Sequence, residues 1–233
     1  MKQLIDIIRP FVAISISIPI NLVIFLGIVY FSLTKQRKNK YKLAQYSARL
    51  ILFIGGQKVT STKEEKADNN SNAYYLGNFI GIESLPALIF AIDEPTCLIL
   101  RWFNFFIPIF GWAFFLLDFI PFSRKFSRFQ NQIKKRILDD DYSVVNFPGG
   151  FHFLKRDDKS KVFKSVTLNP FNRDIKIIPF AITEHSLKQS VWYRSEIKIK
   201  FFSEIQFNSE KSKKEQIQNI ESTIRMYLDT QSI

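Results

Sequence analysis

The sequence predicts an α/β domain carried behind a membrane-spanning N-terminal helix. Three observations lead there. From Tyr74 onward, short runs rich in Ile, Val and Phe alternate with segments of helical period, the pattern of strands separated by helices. A stretch without charge runs from Pro10 to Thr34, and a basic cluster follows it at once. The hydrophobic content of 46% is enough for a packed core and excludes a disordered chain.

Charge and cysteine usage narrow the function classes. The chain carries 33 Lys and Arg against 21 Asp and Glu, a net charge of +12. Such a chain seeks an anionic partner: nucleic acid, an anionic membrane or a phosphate-bearing substrate. The basic residues are spread along the chain and no recognition motif accompanies them, which argues against nucleic acid. Cys97 is the single cysteine, so no internal disulfide forms. With only His152 and His185 besides, a zinc site of the Cys/His kind is excluded. Cys97 sits among apolar residues and reads as a small core side chain.

Phe11–Leu33 is the apolar segment, 23 residues long. A helix needs ~20 apolar residues to cross a bilayer, and a signal peptide would be shorter, with a small-residue cleavage site. A buried core helix is the alternative. Lys35, Arg37, Lys38, Lys40 and Lys42 follow with no acid among them, against Lys2 and Arg9 on the other side. The positive-inside rule then places the rest of the chain in the cytosol: the endoplasmic reticulum in a eukaryote, the inner membrane in a bacterium. The same cations suit an anionic membrane surface.

Tyr41–Gly55 predicts a helix whose apolar face holds Leu43, Tyr46, Leu50, Ile51 and Ile54, ended by Gly55-Gly56. Thr60–Asn72 is polar and predicts a surface loop. Tyr74–Leu76 predicts a buried strand and Ile82–Ala91 a helix. Leu98–Phe122 is very apolar, but Arg101, Asp118, Pro108 and Pro121 make it a poor spanning helix. It predicts an interfacial helix, a turn and a strand. Arg128–Leu138 predicts an amphipathic helix, and Ser143–Asn146 a strand ending at Phe147-Pro148-Gly149-Gly150. Ile175–Ile182 and Ile197–Phe202 predict strands, and Lys213–Leu228 a closing helix. The organisation is thus a membrane helix over 1–34, a basic linker, helix and loop over 35–72, and the main domain over 73–233.

Four of these pieces, in order, resemble the sequence blocks of the lysophospholipid/glycerolipid acyltransferases. Asn78-Phe79-Ile80-Gly81-Ile82-Glu83-Ser84-Leu85-Pro86-Ala87-Leu88 resembles the first block, with Phe79 at the family's catalytic His and Ser84 at its Asp. Ile107-Pro108-Ile109-Phe110-Gly111-Trp112-Ala113 resembles the second, which continues through Asp118-Phe119-Ile120-Pro121-Phe122-Ser123 to Arg124. Phe147-Pro148-Gly149-Gly150-Phe151-His152 resembles the third, the glycerol-phosphate motif, without its Glu, Thr and Arg. Ile177-Ile178-Pro179-Phe180-Ala181-Ile182 resembles the fourth.

The resemblance implies a mixed sheet flanked by helices, and acyl transfer from acyl-CoA to lysophosphatidate or a related lysophospholipid. It implies no bound cofactor. It assigns phosphate binding to Arg124 through charge-assisted bonds, with an ordinary surface cation as the alternative. The chemistry needs a base near neutral pKa beside the attacking hydroxyl, and Phe79 cannot accept a proton. His152 with Asp157, at the family's spacing but after the third block, is one substitute pair, and Glu83 is another candidate base. His185 has no partner pattern. The expected partners are membrane lipids, lysophospholipid and acyl-CoA among them. The alternative is a catalytically inactive relative that binds lipid or a partner acyltransferase.

Overall fold

The computed structural model describes residues 19–64, 72–106, 110–122, 126–148, 168, 175–187, 193–208 and 210–231. Helix α1 covers residues 19–33. It turns at 34–36 and runs back along α2 (Arg37–Gly55), with the Ser47 hydroxyl donating to Asn21 Oδ1 at 2.7 Å. The outer face of α1 is apolar and exposed, including Leu22, Val23, Leu26, Tyr30 and Leu33. No helix among the described residues is long and apolar enough to cross a membrane. Of the apolar segment Phe11–Leu33, the first eight residues lie outside them.

Among the described residues the sheet has eight strands: β1 (Gln57–Lys63), β2 (Ala73–Gly77), β3 (Thr96–Arg101), β4 (Ile120–Phe122), β5 (Ser143–Asn146), β6 (Lys176–Ser186), β7 (Ser195–Phe201) and β8 (Ile205–Gln206). Their order is β1-β7-β6-β2-β5-β3-β4, with β8 beside β6. β6, β2, β5, β3 and β4 are parallel neighbours, while β7 and β8 run antiparallel to β6. The remaining elements are helices α3 (Ser84–Ala91), α4 (Phe110–Leu116), α5 (Phe126–Leu138) and α6 (Lys213–Thr230), and a 3-10 turn at Trp102–Phe106.

Strand sequence explains the layering. β2 is buried along its length, as a parallel strand covered on both faces must be. Its alternate residues go to opposite faces. Ala73 and Tyr75 join a core with Ala48 and Leu52 of α2 and Leu88 of α3. Tyr74 and Leu76 join a second core with Ile133 of α5 and Ile220 of α6. The two prolines sit where a missing N–H is harmless. Pro121 lies on the edge strand β4. Pro179 falls between Ile177, which pairs with β8, and Phe180, which pairs with β7.

Three expectations change. The loop expected from Thr60 begins later, because β1 reaches Lys63 by pairing in parallel with Ser195–Phe201. Leu98–Arg101 is neither interfacial nor helical. It belongs to β3, held between β5 and β4. The helix expected from Tyr41 begins at Arg37. Its buried residues Lys40, Ala44, Ala48 and Leu52 are spaced four apart, one helical face. Lys40 thereby occupies a core register.

That lysine is answered by Asp118, in the turn between α4 and β4. The Lys40 ammonium lies 2.5 Å from the Asp118 carboxylate, and Arg136 of α5 lies 3.2 Å from it. The Tyr142 hydroxyl donates to it at 2.9 Å. Burial pushes the Asp118 carboxyl up, but the Lys40 ammonium, the Tyr142 hydroxyl and the Arg136 guanidinium outweigh burial and hold it below the usual carboxylate range. Four elements are joined at this one side chain.

Candidate functional site

The strands β2, β5 and β6 carry the first, third and fourth resembling blocks, and the carboxyl ends of β2 and β5 define the candidate site. Ligands of open α/β sheets bind at that end. β2 finishes at Gly77, where a Cβ would run into the ring and carbonyl of Phe180, so the close strand approach needs glycine. Asn78 follows and is buried. Its amide donates to the Ile182 carbonyl at 2.8 Å and accepts the Ile182 N–H at 2.7 Å. One side chain thus ties the end of β2 to the outgoing half of β6.

Phe79, the residue after this tie, is 6% exposed. Its ring stands edge-on to Phe147, with centroids 5.0 Å apart. Phe147 in turn stands on Phe180 at 6.0 Å, Phe180 on Phe201 at 6.2 Å, and Phe201 on Tyr75 at 5.7 Å. The first and third blocks therefore meet. They meet through aromatic rings rather than through a base and its partner, at separations where aromatic pairs attract.

Ser84 is the first residue of α3 and is fully buried. Its Oγ accepts the N–H groups of Ile80 at 3.2 Å and Gly81 at 3.4 Å. A carboxylate here could accept the same two N–H groups, and a helix N-terminus favours negative charge. Ser84 keeps the local bonding of that position and gives up its charge. Ser84→Ala is expected to lower stability by about 1–2 kcal/mol, read as a drop in the urea midpoint at unchanged slope. Glu83 is half-buried, caps nothing with its side chain, and folds its carboxylate back over Gly81.

The second block has a structural account. Gly111 of α4 faces the 3-10 turn so closely that a Cβ would overlap the Phe105 carbonyl. The same turn and helix expose Trp102, Phe106, Trp112 and Phe115. β4 ends at Phe122, and Arg124 lies outside the described residues. Pro148 is described, whereas Gly149, Gly150, His152 and Asp157 are not. The fourth block lies in β6. His185, also in β6, meets only the neighbouring Thr183 hydroxyl, at 3.2 Å, among the described residues. Cys97 is buried in the second core, and burial pushes its thiol up, which makes it inert. Among the described residues no cluster of His, Cys, Asp or Glu could hold a metal ion.

Sequence reasoning did not find the role of Asn78, whose partner lies 104 residues away. It also missed the Lys40–Asp118–Arg136 network. The four-residue spacing that puts Lys40 in register with Ala44 and Ala48 was the available signal.

No protein-family model matches the chain, and no curated protein matches it. A solved structure does resemble it: the 1-acyl-sn-glycerophosphate (LPA) acyltransferase PlsC from Thermotoga maritima. The two superpose with a TM-score of 0.73 at 14% sequence identity, over 100% of this chain and 98% of the other. The likeness establishes the fold, an α/β mixed sheet flanked by helices.

Proposed function

We propose that this chain is a membrane-bound protein of the glycerolipid acyltransferase group, which binds lysophospholipid and acyl-CoA and transfers the acyl group slowly. The observation that carries the reading is the meeting of Phe79 and Phe147 at the carboxyl ends of β2 and β5. It puts the first and third resembling blocks together, on a fold shared over its whole length with a lysophosphatidate acyltransferase.

The chemistry is thioester acyl transfer. A glycerol hydroxyl attacks the acyl carbonyl of acyl-CoA, its proton leaves to a base, and the CoA thiolate departs. The family position for that base is Phe79, which takes no proton. Loss of a general base lowers turnover by about 100- to 10,000-fold. The remaining candidates for the proton are His152 with Asp157, and Glu83. Arg124 and the Phe147-Pro148-Gly149-Gly150 motif are the proposed phosphate and glycerol-phosphate contacts. The apolar outer face of α1, the exposed aromatics of the 3-10 turn and α4, and the net charge of +12 support membrane attachment. We place the domain on the cytosolic side, with the apolar outer face of α1 against the bilayer.

A second reading is a non-catalytic subunit that binds lipid or a partner acyltransferase. The packing of Phe79 favours it, because a ring fixed among rings fills the place of the base.

The test is acyl transfer from labelled oleoyl-CoA to a panel of lysophospholipids by the detergent-purified chain. The Phe79→His/Ser84→Asp variant is assayed beside it. We expect slow turnover by the natural chain and a gain of about 100-fold in the variant. Turnover lost on changing His152 or Glu83 would name the substitute base. No turnover by the natural chain, with activity in the variant, would establish the non-catalytic reading.

A further inference from the structure

A charged cleft of about 400 Å³ opens between the α1–α2 turn, the end of α4 and α5. It lies at the other end of the sheet from Phe79. Asp118 precedes β4, and Tyr142 directly precedes β5, so both stand at the amino ends of the parallel strands. Five residue steps along β5 separate Tyr142 from Phe147, on the order of 15 Å.

Four cations line the cleft, Lys35, Arg37, Lys40 and Arg136, with Phe31 and Phe115 on its apolar side. Two carboxylates answer them. Asp118 is shared by Lys40 and Arg136, and Asp140 by Arg37 and Arg136. Among the described residues, four positive charges against two negative leave an excess of two. Lys35 has no side-chain partner among the described residues. It also sits at φ 57, the left-handed region that lysine enters only at a cost.

Two further observations point to an anion. The first is a conflict at the start of α2. A helix N-terminus is positive and favours acids, yet the first turn of α2 has no acid and begins at Arg37, with Lys38 and Lys40 close behind. No side chain caps it either. The helix itself therefore does not account for these cations. The second is preorganisation. The Arg37 and Arg136 guanidiniums both lie over the Tyr142 ring, 5.4 and 5.7 Å from its centroid. Each fork already holds oxygens of Asp140 or Asp118, and its remaining N–H groups are the donors left for a phosphate.

We propose that this cleft binds a phosphate group, with Lys35, Arg37 and Arg136 as its contacts and Lys40 as a buried positive charge behind them. The group is the headgroup of an anionic lipid lying with its chains on Phe31 and Phe115, or a free phosphate. The site is independent of acyl transfer, and an inactive chain would bind equally well.

The probes are inorganic phosphate, dihexanoyl-phosphatidic acid and dihexanoyl-phosphatidylcholine, titrated calorimetrically into the full chain in neutral detergent. Lys35→Gly removes the charge and suits the left-handed backbone, so this variant folds at least as well. Arg37→Gln removes one fork. Lys38→Gln, in the same turn but outside the cleft, is the control. We expect phosphatidic acid to bind and phosphatidylcholine not to. Lys35→Gly and Arg37→Gln should each weaken binding by about tenfold or more, and Lys38→Gln by little. Inorganic phosphate binding with the same dependence identifies the phosphate as sufficient; binding of the lipid alone identifies a lipid site. No binding of either phosphate probe, or equal losses in Lys38→Gln and Lys35→Gly, overturns the proposal, the second outcome reducing it to diffuse surface charge.

Discussion

Asp118→Ala is expected to destabilise the protein by about 3–5 kcal/mol, the loss seen when one partner of a buried charge network is removed. The Asp118 side chain is 28% exposed and the Lys40 side chain 7%. Without the carboxylate, the Lys40 ammonium stays in the core register of α2 with no counter-charge, and the Tyr142 hydroxyl loses its acceptor. Alanine also fits poorly at the φ of 63 found at this position. Asp118→Asn separates the two effects. Asparagine tolerates the left-handed backbone and keeps a carbonyl for Tyr142, so its loss reports the charge alone. The measurement is urea-induced unfolding followed by tryptophan fluorescence. A loss below about 1 kcal/mol in Asp118→Asn would mean that the pair behaves as a surface ion pair.

The same residue sets a pH dependence with a definite sign. The folded carboxyl is held below its ordinary value, so the unfolded chain binds the proton more readily. Its stabilisation is present above the unfolded-state pKa of about 3.9 and is lost as pH falls through the lower folded value. The stability gap between the natural chain and Asp118→Asn should therefore be constant from about pH 5 upward and close below about pH 4. A gap that grew on acidification would reverse the assigned sign.

How far the sequence could be read follows from what each signal depends on. The strand at Ser143–Asn146 and the closing helix from Lys213 were legible, because a short apolar run beside a turn and a long amphipathic period are local patterns. β1 was not. Its residues Gln57–Lys63 are mostly polar, and what makes them a strand is pairing with β7 more than a hundred residues away. β3 was misread within Leu98–Phe122, since a continuous apolar run fits a buried strand and a helix alike. Asp118 served the sequence reading only as a charge that a spanning helix would not carry. Its partnership with Lys40 needs the fold. At the site, Phe79 and Ser84 were visible as substitutions, but the packing of Phe79 on Phe147 required the adjacency of β2 and β5.

Asn78→Ala is expected to lower stability by about 3–5 kcal/mol while leaving the sheet order intact. Asn78 resembles a residue of a catalytic block, yet its polar atoms face Ile182 rather than any open surface, and the residue is 1% exposed. Alanine would leave a buried N–H and a buried C=O unpaired, each at about 1–3 kcal/mol. Asn78→Asp distinguishes this account from simple loss of volume. A carboxylate can still accept the Ile182 N–H, but it cannot donate to the Ile182 carbonyl, and it brings a charge into a buried place. The aspartate should therefore be as damaging as alanine near neutral pH and recover in acid, where the protonated side chain regains a donor. The structural consequence reaches the candidate site directly. Asn78 fixes the backbone one residue before Phe79, so its loss frees the ring from Phe147. In the Phe79→His/Ser84→Asp background, adding Asn78→Ala should lower any restored turnover well beyond the loss of folded protein, because an imidazole held loosely is a poor base. Equal losses of turnover and of folded protein would confine Asn78 to holding the sheet together.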